Sequence, residues 1–190
     1  YIAEVTVGDG TTTSPDTVQV TAHAAPGTAG DLVISEIMDN PKNKTDANGE
    51  WFEVYNASSK PLNLNGCTLE DRGATNHSTT VGSDVFVDAG GYAVMAIGSS
   101  PGFTPDYNYS GALSFVNNDD KIVVSCGGSQ IDAVDYTGGT FPGTEGESKK
   151  LDGGQLTETA NDSASNWCGS TTSYSTGDFG TPGAANGSCP

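Results

Sequence analysis

Ile122-Val123-Val124-Ser125-Cys126-Gly127-Gly128-Ser129-Gln130-Ile131-Asp132-Ala133-Val134-Asp135-Tyr136 decides how this chain is read. Two runs rich in β-branched residues flank Gly127-Gly128, and a Gly-Gly pair between such runs is the signature of a tight hairpin. Working outward, Tyr92-Ala93-Val94-Met95-Ala96-Ile97 and Val85-Phe86-Val87 flank the turn residues Asp88-Ala89-Gly90-Gly91. Further back lie Leu62-Asn63-Leu64, Cys67-Thr68-Leu69 and Trp51-Phe52-Glu53-Val54-Tyr55. Leu32-Val33-Ile34-Ser35-Glu36-Ile37-Met38 is apolar on both faces, so it is expected at the centre of a sheet. Between the last two runs, residues 39–49 form a polar loop with Pro41 and Asn48-Gly49. No window of ten or more residues carries helical periodicity. Strands separated by turns at intervals of roughly 8 to 12 residues predict an all-β chain, an antiparallel β-sandwich of immunoglobulin-like type. The last 40 residues, rich in Gly, Ser, Thr and Asn, are expected to be irregular and held by cysteines.

Residues 1–22 read as a β-hairpin extension: Ile2–Val7, a turn cluster from Gly8 to Pro15, and an alternating strand from Asp16 to Thr21. Two strands alone are marginal in water, so this hairpin is expected to pack on something. Residues 23–30 are small and carry Pro and Gly, which makes them a linker, and 31–190 form the main unit. The chain opens at Tyr1 inside a strand with no signal pattern, which reads as a boundary within a longer protein.

Composition narrows the function. The 190 residues carry 24 acids against 7 bases, a net charge of −17. Binding of nucleic acid through a basic face is not expected, and neither is attraction to an anionic membrane. No apolar run approaches the roughly 20 residues of a membrane span. Leu, Ile, Val and Phe number only 33, a level at which a highly charged chain can be disordered. Here they sit in short periodic runs, 15 aromatics are spread through the chain, and only 16% of residues are charged, so a folded domain is expected. Cys67, Cys126, Cys168 and Cys189 include no Cys-x-x-Cys pair to support a zinc site. They are read as two disulfides, hence an oxidising, extracellular or cell-surface setting; spacing does not choose among the three connectivities.

From Asp31 onward the sequence resembles the lamin tail domain family in its secreted bacterial branch. The resemblance rests on Leu32–Met38 followed by Pro41, Glu50–Asn56, Leu62–Leu69, Ala89–Tyr92, Asn118–Val124, Ile131–Tyr136 and the closing Gly180-Thr181-Pro182-Gly183-Ala184-Ala185-Asn186. It implies a compact immunoglobulin-like sandwich and pairs Cys67 with Cys126, across the sandwich, and Cys168 with Cys189. The second link, closing a loop of about 20 residues, would contribute roughly 3 kcal/mol through unfolded-state entropy. The N-terminal hairpin resembles the last two strands of a PKD-like or immunoglobulin-like repeat.

The candidate chemistry is sparse. The histidines are His23 in the linker and His77 in a polar loop, no nucleophile elbow is read, and an even cysteine count leaves no free thiol, so the chain is not expected to be an enzyme. Calcium is the one cofactor with candidate ligands, and none is required. Asp39, Asn40, Asp46, Asn48 and Glu50 form one oxygen-rich set, and Asn117, Asn118, Asp119 and Asp120 another. Neither has EF-hand spacing, and a solvated acidic loop is the favoured reading of each. Glu36 and Glu53 lie mid-strand among apolar residues and need donors, from Lys42, Lys44, Arg72 or backbone N–H groups. A structural bridge is favoured for them over ligand contact. Tyr107 and Tyr109, with Phe103, Phe141 and Trp167, fall in loop-like segments, where rings stack on a ligand or, more often, pin the loop down.

The resemblance thus implies a noncatalytic accessory module, for binding or attachment, in a larger secreted or surface bacterial protein. The alternatives are a passive spacer and a calcium-dependent adhesion module. The expected partners are a protein or carbohydrate surface, with the N-terminal hairpin pairing to a sheet edge of the same or a neighbouring chain.

Overall fold

Each apolar run identified above becomes a strand in the computed structural model, which describes residues 22–73 and 76–190, together with the backbone of residues 2–8 and 13–19. The chain begins with β1 (Ile2–Gly8), β2 (Thr13–Gln19) and β3 (Leu32–Met38), then a single helical turn, α1 (Asp46–Gly49). Next come β4 (Trp51–Asn56), β5 (Leu62–Asn63), β6 (Thr68–Arg72), β7 (Asn76–Thr80), β8 (Phe86–Val87), β9 (Tyr92–Ala96) and β10 (Tyr107–Asn108). The order closes with β11 (Lys121–Cys126), β12 (Ser129–Asp135), β13 (Lys149–Leu151), β14 (Trp167–Gly169), β15 (Ser173–Ser175) and β16 (Asp178–Phe179).

Among the described residues, one sheet runs β10-β9-β4-β3-β13-β14 and the other β12-β11-β6-β7. All pairings are antiparallel except the short β9–β10 pair. The two sheets enclose a core built from alternate residues of each strand: Leu32, Ile34 and Ile37 of β3, Phe52 and Val54 of β4, Met95 of β9, Leu69 of β6, and Ile122 and Val124 of β11. β3 is central and buried along its whole length, as its two apolar faces predict. The β11–β12 hairpin turns at Gly127 and Gly128, both at positive φ (58° and 83°), the conformation that glycine adopts without steric cost.

The other face of the larger sheet is also covered. Met38, Trp51, Val94 and Ala96 form a second apolar patch there, on which Phe103 and Tyr174 pack. Trp51 stands edge-on to both rings and donates from Nε1 to the Tyr174 hydroxyl at 3.1 Å.

Three expectations need correction. The last 40 residues are not irregular throughout: β13 and β14 extend the larger sheet beyond β3, because Lys149 and Lys150 pair with Ile37 and Glu36. The Cys67–Cys126 disulfide does not cross the sandwich. It joins the start of β6 to the end of β11, neighbours in one sheet, with Cα atoms 4.2 Å apart. The cysteine partners themselves are those that the resemblance implies, Cys168 being bonded to Cys189. At the N-terminus β2 begins at Thr13, so Ser14 and Pro15 pair with Val7 and Thr6 instead of lying in the turn; residues 9–12 of that turn, and residues 20–21, lie outside the described residues.

Candidate functional site

Two groups of buried carboxylates dominate the polar interior. The first lies around residues 114–118, which belong to no strand and whose N–H groups therefore lack a sheet partner. Four carboxylates supply the acceptors: Asp71 takes the N–H of Ser114 at 2.9 Å, Glu50 that of Phe115 at 3.0 Å, Asp120 that of Val116 at 2.8 Å, and Asp39 that of Asn118 at 2.7 Å. Asp39 sits just after β3, Glu50 just before β4, Asp71 on β6 and Asp120 just before β11, so the segment is stitched to both sheets. The cation of this group is the protein's own. Lys149, 1% exposed, donates from Nζ to Asp39 Oδ1 at 2.7 Å and to Asn118 Oδ1 at 2.9 Å, with the Tyr136 ring centroid 5.5 Å away. Glu50 Oε1 and the Tyr109 and Tyr136 hydroxyls are buried without a protein partner. Burial, reinforced by Asp46, Asp39 and Asp120, pushes the Glu50 carboxyl up to about 8.

The second group is the cross-strand pair Glu36 and Glu53 on the outer face of the larger sheet, both fully buried. A register shift between Ile34 and Glu36 brings the two side chains opposite one another. Their donors are neutral. Ser148 Oγ bonds to Glu36, and Thr181 gives Glu36 its N–H, at 3.0 and 3.1 Å to the two oxygens, and its hydroxyl at 2.9 Å. Glu53 takes Ser35 Oγ at 2.8 Å and the N–H of Gly183 at 2.7 Å. Asn186 locks the clamp by donating to the Ser35 carbonyl at 2.8 Å, and its side-chain oxygen shares the single Thr181 hydroxyl hydrogen with Glu36. Gly180 makes the close approach possible: a Cβ there would stand 3.0 Å from the Trp51 ring and 3.1 Å from Glu36 Oε1. Desolvation raises both carboxyls, Glu53 further through the neighbouring charge of Glu36.

The family model of the lamin tail domain matches residues 25–138, more than half of the chain. The chain belongs to the lamin tail domain family. No curated protein matches it. In this lamin tail domain the match includes Asp39, Glu50, Asp71, Asn118 and Asp120, and both members of the Glu36–Glu53 pair; Lys149 and the clamp at 180–186 lie beyond it.

Of the candidate metal ligands, the fold brings together Asp39, Glu50, Asn118 and Asp120, and leaves Asp46, Asn48 and Asp119 exposed. Among the described residues, no group of three or more His, Cys, Asp or Glu side chains is placed to hold a metal ion. The donors to Glu36 and Glu53 are not Lys42, Lys44 or Arg72; Arg72 pairs with Glu70 at 2.9 Å. Tyr109, Phe141 and Trp167 are buried, and Tyr107 bonds through its hydroxyl to Thr80 O and Gly82 N, so these rings fasten their loops. Among the described residues the exposed aromatic is Phe86, 56% accessible, its ring tilted against that of His23 at 4.4 Å between centroids.

Asp132 and Asn161 were not expected to act together. β13 leaves Ile34 unpaired on one side, and these two side chains stand in for a strand: Asp132 Oδ2 accepts the Ile34 N–H at 2.6 Å, and Asn161 donates to the Ile34 carbonyl at 3.1 Å and to Asp132 at 2.7 Å. Burial pushes the Asp132 carboxyl up to about 7. The only sequence sign was an acid among apolar residues in β12. Gly98-Ser99-Ser100-Pro101-Gly102 carries the letters of a nucleophile motif, but it runs from β9 into a bend with no helix behind it, and His77 is bound to Asp71 at 2.8 Å.

Proposed function

We propose that this lamin tail domain is a noncatalytic accessory module of a larger secreted or cell-surface bacterial protein, serving binding or attachment to a protein or carbohydrate surface. One observation carries the reading: apart from Asp39, which also faces the chain's own Lys149, the buried carboxylates accept hydrogen bonds from the backbone or from hydroxyls and so support the fold. The two disulfides suit an oxidising compartment. The acidic surface opposes nucleic acid, and no described helix is long and apolar enough to cross a membrane. Phe86, a flat ring beside the linker, is the contact residue of choice for a sugar or a partner side chain. The N-terminal hairpin would pair with a sheet edge of this or a neighbouring chain. A glycan array probed with the domain tests this: retention that is lost in Phe86→Ser supports binding, whereas no retention on any glycan or on the remainder of the full-length protein leaves the passive spacer.

A calcium-dependent adhesion module is the second reading; its one opening among the described residues is an acidic cleft of about 240 Å³ where Asp132 Oδ1 is buried without a partner, although Lys121 also lines that cleft and no three carboxylates there are placed around one ion. A ligand at 100 times its Kd adds about 2.7 kcal/mol, so a rise of several degrees in Tm with millimolar Ca²⁺ over EDTA selects this reading, and equal values dismiss it.

A further inference from the structure

The buried pair Lys149 and Asp39 and the half-buried Asn118 form a triad whose arrangement exceeds what a salt bridge requires. Nζ of Lys149 lies 2.9 Å from the carbonyl oxygen of the Asn118 side-chain amide and 2.7 Å from Asp39 Oδ1. The other oxygen of Asp39 accepts the backbone N–H of Asn118, so a single carboxylate holds the amine and the amide side by side. The backbone carbonyl of Asn118 accepts the N–H of Gly139, and Asn118 sits at φ 61°, a conformation in which few non-glycine residues are found. Lys149 is fixed between Ile37 and Gly169 in the sheet. Among the described residues no group accepts a hydrogen bond from Asn118 Nδ2, and Asn118, half-buried, gives a leaving ammonia a route out.

We propose that Lys149 and Asn118 join in an autocatalytic isopeptide bond, with Asp39 as the proton-transfer group. Lys149 Nζ gives one proton to Asp39 Oδ1. The freed lone pair attacks Cγ of Asn118, and the C=O π pair moves onto Oδ1. A second Nζ proton passes to Nδ2 by way of Asp39, the pair on Oδ1 returns to re-form the C=O bond, the Cγ–Nδ2 bond breaks with its electrons on nitrogen, and ammonia departs. The new Nζ–Cγ amide keeps one N–H, and Asp39 keeps the first proton. Atoms and charge balance with no oxidant, metal or cofactor. The first transfer passes a proton along the 2.7 Å contact between Nζ and Asp39 Oδ1 and leaves an uncharged amine. Holding the reactants in contact replaces a bimolecular encounter, an advantage that in well-oriented systems reaches on the order of 10⁵–10⁸ M. Loss of ammonia to solvent makes the step irreversible. The product would tie the 114–118 segment to β13 by a link that reductants leave intact. This activity is independent of any ligand of the domain.

The test is the intact mass of the matured full-length protein, reduced and denatured, followed by tryptic mapping. The expected mass is that of the sequence less one ammonia, with the fragment ending at Lys121 joined to the fragment ending at Lys150 and no cleavage after Lys149. Asp39→Asn and Lys149→Ala should both keep the ammonia, and a mass is readable whether or not they fold. A wild-type mass equal to that of the sequence overturns the proposal. So does an ammonia loss that maps to a cyclised Asn-Gly such as Asn48-Gly49, Asn65-Gly66 or Asn186-Gly187.

Discussion

The two buried carboxylate groups solve one problem in different ways. Around residues 114–118 the four acids come from separate parts of the chain and accept backbone N–H groups, and one of them, Asp39, also pairs with the ammonium of Lys149. On the outer face of the larger sheet, Glu36 and Glu53 stand opposite each other and receive only neutral N–H and O–H donors, most of them from the C-terminal segment. A buried charge needs either a counter-charge or a proton. The first group has the counter-charge built in. The second lies under donors that also suit a partly protonated pair. The difference teaches that an acid in the middle of a strand is not by itself a sign of a ligand: its meaning depends on what covers it.

The largest effect should come from removing the cation of the first group. Lys149→Met leaves Asp39 buried without its partner and also removes the proposed link to Asn118, and should cost at least about 3–5 kcal/mol in urea unfolding, because a lone buried charge is far more costly than a pair. Glu53→Gln, which relieves a repulsion, should cost much less. Equal losses in the two variants would erase the distinction between the groups.

The pH dependence should be next. Glu36, Glu50, Glu53 and Asp132 all have carboxyls raised by burial, so the folded state binds more protons than the unfolded chain. The stability they contribute is complete below the ordinary carboxyl value of about 4.5 and is lost as pH rises, through about 7 for Asp132 and about 8 for Glu50. Urea midpoints should therefore fall between pH 5 and 8 by an amount worth a few kcal/mol. Glu50→Gln and Glu53→Gln should each flatten that fall, and a midpoint that rises over the same interval would contradict it.

The smallest effect sharpens the account of the clamp. Thr181→Val removes the hydroxyl donor to Glu36 and keeps the N–H, so it should cost about 1–2 kcal/mol. The loss should be greater at pH 8 than at pH 5, because the hydroxyl serves the charged form of Glu36.

The strands were legible because a pleated chain exposes its two faces in alternation, and runs such as Ile122–Cys126 and Trp51–Tyr55 write that period directly. Glu36 and Glu53 could be marked as unusual for the same reason. Their donors could not be found, since Thr181 lies 145 residues from Glu36 and Gly183 lies 130 from Glu53. Asp39, Glu50, Asn118 and Asp120 were noticed as oxygen-rich loops, but as two separate sets. That they converge on residues 114–118 follows from the meeting of the two sheets, and that Lys149 reaches Asp39 and Asn118 depends on β13 joining β3, a pairing of only two residues in a stretch that reads as loop. Lys149 and Lys150 are adjacent and chemically identical, yet one faces the interior and the other reaches the Gly187 carbonyl.

Local patterning therefore settled what short-range physics controls: strands, turns, the even cysteine set and an acidic surface. Tertiary structure alone decided which acids are buried, which lysine answers them, and which disulfide stays within a sheet. Those outcomes depend on desolvation and on hydrogen bonds between residues far apart in the chain, and such terms take a value only once the sheets have met.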